Sequence, residues 1–338
     1  MDLKKQIHKT IPIIIEKLGY LFNPLILKFK NEKNKLLIFY FHGLYESTTQ
    51  KDLNHGDPQN NLTVSQFEKF IKYFLQKKYH FIKPEDLLED LPANQPYAMI
   101  TFDDGYFNNS LALDVLNKYN VPATFFLTTN NIIENKSFWW DVVYRNRMKQ
   151  GVSLKKISEE QQSLKNFKYP EIDNYIENKF GSNSYKPWSD IDRPFTRSEI
   201  RSIAQNPLVS IGNHTHNHAI LSNYMQEEMI NEFRLSNQIL FELTGKTPIA
   251  VAFPNGNYNE SILNVAKKMG FRFAFTTQNH INHLPFIDNE MICLNRFMAK
   301  TEDIKTYGSF IRMGYNPHLL YNNLKKIFFF RKLSPNKP

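Results

Sequence analysis

The side chains best equipped for chemistry fall in two short runs, TFDDGY at 101–106 and HTHNH at 214–218. Two imidazoles four residues apart can reach one cation together if they share the same side of a helical turn, the arrangement that the spacing of His214 and His218 suggests. A divalent ion so held still needs a further ligand, and a carboxylate would serve. Adjacent carboxylates at a strand end diverge, so one can coordinate while its neighbour stays free to take a proton from water. That division gives Asp104 to the cation, with His214 and His218, and Asp103 to general-base work. Each run alone says little, because DDG is a common turn and a histidine-rich run is often a solvated loop.

Those residues must be positioned by something rigid, and the flanking patterns supply it. LLIFYFHGL (36–44) reads as a buried strand ending in His42, and YAMITFDD (97–104) as one ending in the two aspartates. Between them a helix should start at Thr63, whose hydroxyl can cap the first turn while Gln66 reaches back, with Phe67, Phe70, Ile71 and Phe74 on its apolar face. Further alternation follows: a helix near 110–119, the strands VPATFFL and LVSIGNH, a helix over 226–243, the strand IAVAFP, the helix SILNVAKKMG closed by Gly270, and the strand FRFAFTT. Strands alternating with helices pair in parallel, as a barrel or a doubly wound sheet, and polar residues at the strand C-termini then build the site. His42, Asp103, Asp104, His214 and Asn255 all fall there. Residues 130–195 break the rhythm, being rich in Asn, Lys, Ser and Tyr around Trp139, Trp140 and Trp188, and read as an insertion over the mouth of the fold.

The two runs together resemble the polysaccharide deacetylases of the NodB-homology type, the fourth family of carbohydrate esterases, over roughly 36–300. The resemblance implies an α/β fold, a distorted (β/α) barrel, with an insertion at its mouth and flanking terminal helices. The expected division is an amphipathic helix over 1–33, the barrel over 34–305 with its insertion at about 130–195, and a basic helical tail over 306–338. It also implies a metal-dependent hydrolase of N-acetyl or O-acetyl groups on a carbohydrate, with a divalent metal, zinc by expectation. Thr215 matches the small hydroxyl position between the two histidines. A third motif survives as AFPNG, which keeps Pro254 and Gly256 but lacks the arginine that orients the base, and Pro254 and Asn255 are expected in the substrate wall. Arg296, in CLNRF, is the candidate replacement, the alternative being a surface ion pair at a strand end. The histidine that donates a proton to the leaving amine is missing from its usual place near Leu294, so His42 is the leading donor and His216 a weaker one. Tyr106 is expected near the oxyanion. Trp139, Trp140 and Asp141 resemble a WWD run of some bacterial members, with indole faces for sugar rings and an acid for hydroxyls, or else a small core for the insertion. Two rival functions are a glycan-binding protein without catalysis and a hydrolase of a non-sugar amide.

Composition narrows the partners. A formal net charge of +9 favours an anionic partner such as a lipid headgroup or a phosphorylated glycan carrier. Nucleic acid is not expected, because the lysines are scattered and no recognition motif organises them. A single cysteine, Cys293, excludes a disulfide framework and a cysteine zinc knot, and its apolar setting suggests a buried strand residue. Ile7, Ile11, Ile14, Leu18, Leu21 and Leu25 draw one apolar stripe, and LLYNNLKKIFFFRKL near the C-terminus repeats the amphipathic theme. Such ends fit either flanking helices or peripheral contact with an anionic membrane. The N-terminal run fits neither a cleaved signal nor a spanning helix, which points to a cytoplasmic protein acting on an acetylated glycan or lipid-linked sugar, at the inner face of the membrane if the ends bind it.

Overall fold

A computed structural model describes residues 22–23, 25–59, 62–286, 291–299 and 303–314. Most of the N-terminal stripe and all of the LLYNNLKKIFFFRKL run lie outside them.

Eight parallel strands carry the fold: β1 (Lys35–Phe41), β2 (Tyr97–Phe102), β3 (Ala123–Leu127), β4 (Val209–Asn213), β5 (Ala250–Ala252), β6 (Phe273–Phe275), β7 (Ile292–Leu294) and β8 (Phe297–Met298). From β1 to β7 they lie side by side in chain order. β8, two residues beyond β7, pairs with the far side of β1, Phe39 opposite Phe297 and Tyr40 opposite Met298, so the sheet curls into a nearly closed barrel. All seven residues of β1 are buried. A strand covered on both faces reads as an unbroken apolar run, which is why LLIFYF shows no alternation.

The pleat nevertheless sorts that run. Leu37, Phe39 and Phe41 pack outward with Phe67, Phe70, Ile71 and Phe74 of helix α1 (Val64–Gln76). Leu36 and Ile38 point the other way, among Met99, Phe126, Phe275 and Leu294. α1 begins as its sequence predicts, the Gln66 amide N–H donating to the Thr63 hydroxyl at 3.3 Å and the Thr63 N–H to the Gln66 side chain at 2.8 Å. The helix expected near 110–119 is shorter, a 3-10 turn followed by α2 (Leu113–Tyr119).

Among the helices between β3 and β4, three, α3 (Trp139–Lys149), α4 (Leu154–Leu164) and α5 (Tyr169–Phe180), share their own apolar cluster around Phe138, Trp139, Trp140, Val143, Ile157 and Ile176. Against the opposite flank, α6 (Gln226–Thr244) and α7 (Glu260–Lys268) bury Phe233, Ile262 and Val265 with Val251 and Phe271. α8 (Ile304–Met313) lies in the stretch expected to be a tail, but Tyr307 and Ile311 belong to the main core and Gly308 sits against Tyr73. Cys293 is exposed in β7, correcting the expectation of burial.

Candidate active site

In a parallel barrel all C-terminal strand ends open on one rim, so residues far apart in sequence converge there. His42 follows β1, Asp103 and Asp104 follow β2, His214 follows β4, Phe253 to Gly256 follow β5, and Arg296 sits between β7 and β8. All of these but Pro254 and Arg296, which are buried behind the rim, line a cleft of about 380 Å3 whose wall is completed by Trp139, Trp140, Gln161 and Lys165 from α3, α4 and the residue just past it.

Asp104, His214 and His218 meet at the floor. One ligand atom from each lies within 4.8 Å of the others. His214 Nε2 stands 3.3 Å and His218 Nε2 3.2 Å from Asp104 Oδ1. Both Asp104 oxygens are buried without a hydrogen-bond partner. The His214 Nδ1 is 2.8 Å from the Ala252 carbonyl, and a carbonyl can only accept, so the proton is on Nδ1 and Nε2 turns a lone pair toward the carboxylate. Burial pushes the His218 imidazole down, against the pull of Asp104, which favours its neutral form. A buried carboxylate facing neutral imidazole nitrogens is an arrangement of acceptors without a donor, and a divalent cation is the group that fits it.

The two histidines do not share a helical turn. They lie in a loop after β4 in which Thr215 has φ of +63° and His218 of +50°. Thr215 Oγ1 accepts from the Ala219 N–H at 2.8 Å, and Glu232 of α6 accepts from the N–H groups of His216 and Asn217, so the loop is fixed from both sides. Asp104 and Asn255 also have positive φ, +73° and +58°. Left-handed backbone at non-glycine residues stores strain; of the ten such positions among the described residues, Asp104, His218 and Asn255 line the cleft and Thr215 lies in the loop that carries the histidines.

Asp103 lies beside Asp104 and is held differently. Arg296 Nη1 donates to its Oδ1 at 2.7 Å and Nη2 to its Oδ2 at 2.9 Å. The guanidinium is fully buried, also donating to Thr101 Oγ1 and the Thr276 carbonyl, with Tyr40 stacked at 4.8 Å. The alternative of a surface ion pair therefore falls. Burial would raise the Asp103 carboxyl, but the Arg296 charge outweighs it and keeps the group below its ordinary value.

The remaining candidates divide. His42 lines the cleft, its backbone carbonyl accepting from the Asn109 side chain. His216 is directed to Thr129 Oγ1 at 2.9 Å and is not in the cleft wall. Trp139 and Trp140 border the cleft and also belong to the helical cluster, the Trp140 ring 4.5 Å from that of His218. Pro254 is buried, while Asn255 faces the cleft. Asp141 does not face the main cleft, and the Tyr106 hydroxyl is turned to that carboxylate. Asp141 is fully buried and accepts from the Tyr106 hydroxyl at 2.7 Å and the Asp57 N–H at 2.6 Å, leaving no oxygen turned to the main cleft. Tyr106 in turn accepts from Trp140 Nε1 at 2.7 Å, so the pair fixes the indole instead of meeting a sugar. The residues that local reading missed are Asp57, Gln161 and Lys165. Asp57 lies in the loop between β1 and α1, Gln161 on α4 and Lys165 just past its end, and none of them belongs to a run with a chemical motif.

A parallel α/β barrel with a cation pocket and an arginine-held aspartate at its C-terminal rim defines a class of hydrolase. The sequence profile of the family described as polysaccharide deacetylase matches residues 90–274, more than half of the chain. The chain belongs to that family, whose members are metal-dependent hydrolases of carbon–nitrogen bonds other than peptide bonds, acting on acetylated carbohydrate. It is 22% identical over 226 residues to the Bacillus subtilis (strain 168) protein YxkH, whose name places it among polysaccharide deacetylases; the match covers 65% of this chain and 60% of that one. Solved structures share the fold. A polysaccharide deacetylase from Bacillus cereus superposes with a TM-score of 0.56 at 18% identity, covering 82% of this chain and 69% of the other. The Streptococcus pyogenes deacetylase PplD, in complex with acetate, gives 0.54 at 19% identity over 79% and 93%. IcaB from Ammonifex degensii gives 0.55 at 14% identity over 82% and 97%. Among the described residues no helix is long and apolar enough to cross a membrane.

Proposed function

We propose that the chain removes the acetyl group from an N-acetylated sugar, with Asp103 as base and Asp104, His214 and His218 holding a divalent metal, zinc by ligand chemistry. The observation that carries this reading is the juxtaposition at the cleft floor of a three-ligand acceptor set and an aspartate clamped by Arg296. A divalent cation in that set would supply Lewis acidity, polarising the attacking water and the acetamide carbonyl. Everything else falls to the side chains. Arg296 holds both Asp103 oxygens, so the carboxylate stays ionised and in one orientation, ready to receive the water proton through its remaining lone pairs. His42, across the cleft, gives a proton to the amine as the carbon–nitrogen bond breaks. Trp140, pinned by Tyr106, offers the edge against which a sugar packs.

The substrate proposed is a cell-surface glycan or its lipid-linked precursor, a reading supported by the +9 net charge and its preference for anionic surroundings. The chain is taken to act in the cytoplasm or at the inner face of the membrane. The test is acetate release from a panel of acetylated sugars and polymers, with and without chelator. Asp103→Asn should abolish release while zinc, measured by elemental analysis, stays bound. Near-normal turnover by that variant would remove Asp103 from its role.

A further inference from the structure

Lys165 is the one lysine or arginine among the described residues lining the cleft. It sits just past the end of α4, where its backbone is fixed. The Asn223 side chain donates to its carbonyl at 2.9 Å, and its own N–H donates to the Gln161 carbonyl at 3.3 Å. From there the side chain reaches back across the cleft to Asn255, Nζ donating to Oδ1 at 2.8 Å. Asn255 is itself oriented, its Nδ2 donating to Asn257 Oδ1 at 2.8 Å, so its oxygen and not its nitrogen meets the ammonium.

A half-buried lysine normally ends on a carboxylate or in water, because desolvating an ammonium is costly. Here the hydrogen bond goes to a neutral amide, although Asp57 and Asp104 both lie near enough to act on it electrostatically. Asp57 is engaged by the Gln161 side chain at 2.7 Å, and Asp104 belongs to the cation pocket. With Asp103 balanced by Arg296, the charge left facing a bound sugar is that of Lys165, against the single carboxylate of Asp57 and whatever surplus a divalent cation adds. An ammonium has three protons and Asn255 takes one.

We infer that Lys165 is a specificity-determining residue that binds an anionic group, phosphate or carboxylate, carried by the same sugar that presents the acetamide to the cleft floor. A sugar 1-phosphate places that charge one ring atom from a 2-acetamido group, and a uronic acid places it on the opposite edge of the ring. Both are compact enough for a cleft of about 380 Å3. The inference deepens the deacetylase reading and rests on it for the orientation of the sugar, while the binding it describes can be measured without turnover.

The experiment is calorimetric titration of the full chain, zinc-loaded and chelator-stripped, with N-acetylglucosamine 1-phosphate, with the methyl glycoside of a 2-acetamido uronic acid, and with neutral methyl N-acetylglucosaminide. Wild type should bind one of the two anionic sugars about tenfold more tightly than the neutral one, and which of the two identifies the anion. Lys165→Met should erase that preference, and Lys165→Arg should restore most of it. Equal binding of all three sugars by wild type overturns the inference. So does a Lys165→Met variant that weakens all three alike, since that is what loss of a mere bolt between α4 and the Asn255 loop would do. If no sugar releases acetate but the Lys165-dependent preference persists, the deacetylase reading fails and the anion site stands.

Discussion

Replacing Arg296 by methionine keeps most of the side-chain volume and removes the charge. It leaves the largely buried Asp103 carboxylate with its forked partner gone. Breaking a buried pair from one side costs about 3–5 kcal/mol, a large part of the roughly 5–15 kcal/mol that holds a domain folded. The pH dependence gives a second, independent signature. In the native protein the Asp103 carboxyl lies below its ordinary 3.8, because the Arg296 charge outweighs burial. A depressed acid contributes stability that is present above the unfolded value and lost as pH falls through the folded one. Without the guanidinium, burial is opposed only by the neighbouring His214 and His42, and the carboxyl rises. The folded variant then takes up a proton more readily than the folded wild type, and its deficit relative to wild type should narrow as pH drops from about 7 towards 4. Urea unfolding of chelator-stripped protein across that range measures the effect, and the acidic limb of kcat/KM should move to higher pH in the zinc-loaded enzyme. Arg296→Lys, which keeps a charge but not the fork, should fall between the two and preserves the test if the methionine variant does not fold. A methionine variant within about 1 kcal/mol of wild type, with an unmoved acidic limb, would refute the reasoning.

Two further outcomes follow from the same rim. Asp104→Asn should weaken zinc binding at least tenfold in calorimetry, because it removes the only anionic ligand of the set, whereas Asp103→Asn should change it little; equal zinc affinity in wild type and Asp104→Asn would place the cation elsewhere. Gly256→Ala should lower the melting temperature by several degrees, since the position has φ of +72° and a Cβ there would stand 2.0 Å from Thr277 Oγ1; adding Thr277→Ala should recover part of the loss, and an unchanged melting temperature would mean that the turn relaxes freely.

The sequence by itself determined the chemistry of the cation pocket and the kind of sheet that carries it. In a chain with one cysteine, carboxylate and imidazole are the side chains left to hold a borderline divalent ion such as zinc, so Asp104, His214 and His218 stand out together, and unbroken apolar runs such as LLIFYF announce strands covered on both faces. The α1 cap at Thr63 and Gln66 was equally legible, because both partners lie within one turn. Tertiary structure alone decided what each polar group meets. Arg296 pairs with an aspartate 193 positions away because β8 closes onto β1, a matter of register that no local period encodes. Spacing suggested a helical turn for the histidines, and the strand end with a strained loop provided it differently. Asp141 looked like a ligand for sugar hydroxyls until burial gave its oxygens to Tyr106 and Asp57. Lys165 looked like any surface lysine until the fold carried α4 to the rim. Residue type fixes which bonds a side chain is able to make, but the choice among them is made by packing, which brings distant segments together and excludes the water that would otherwise satisfy each one alone.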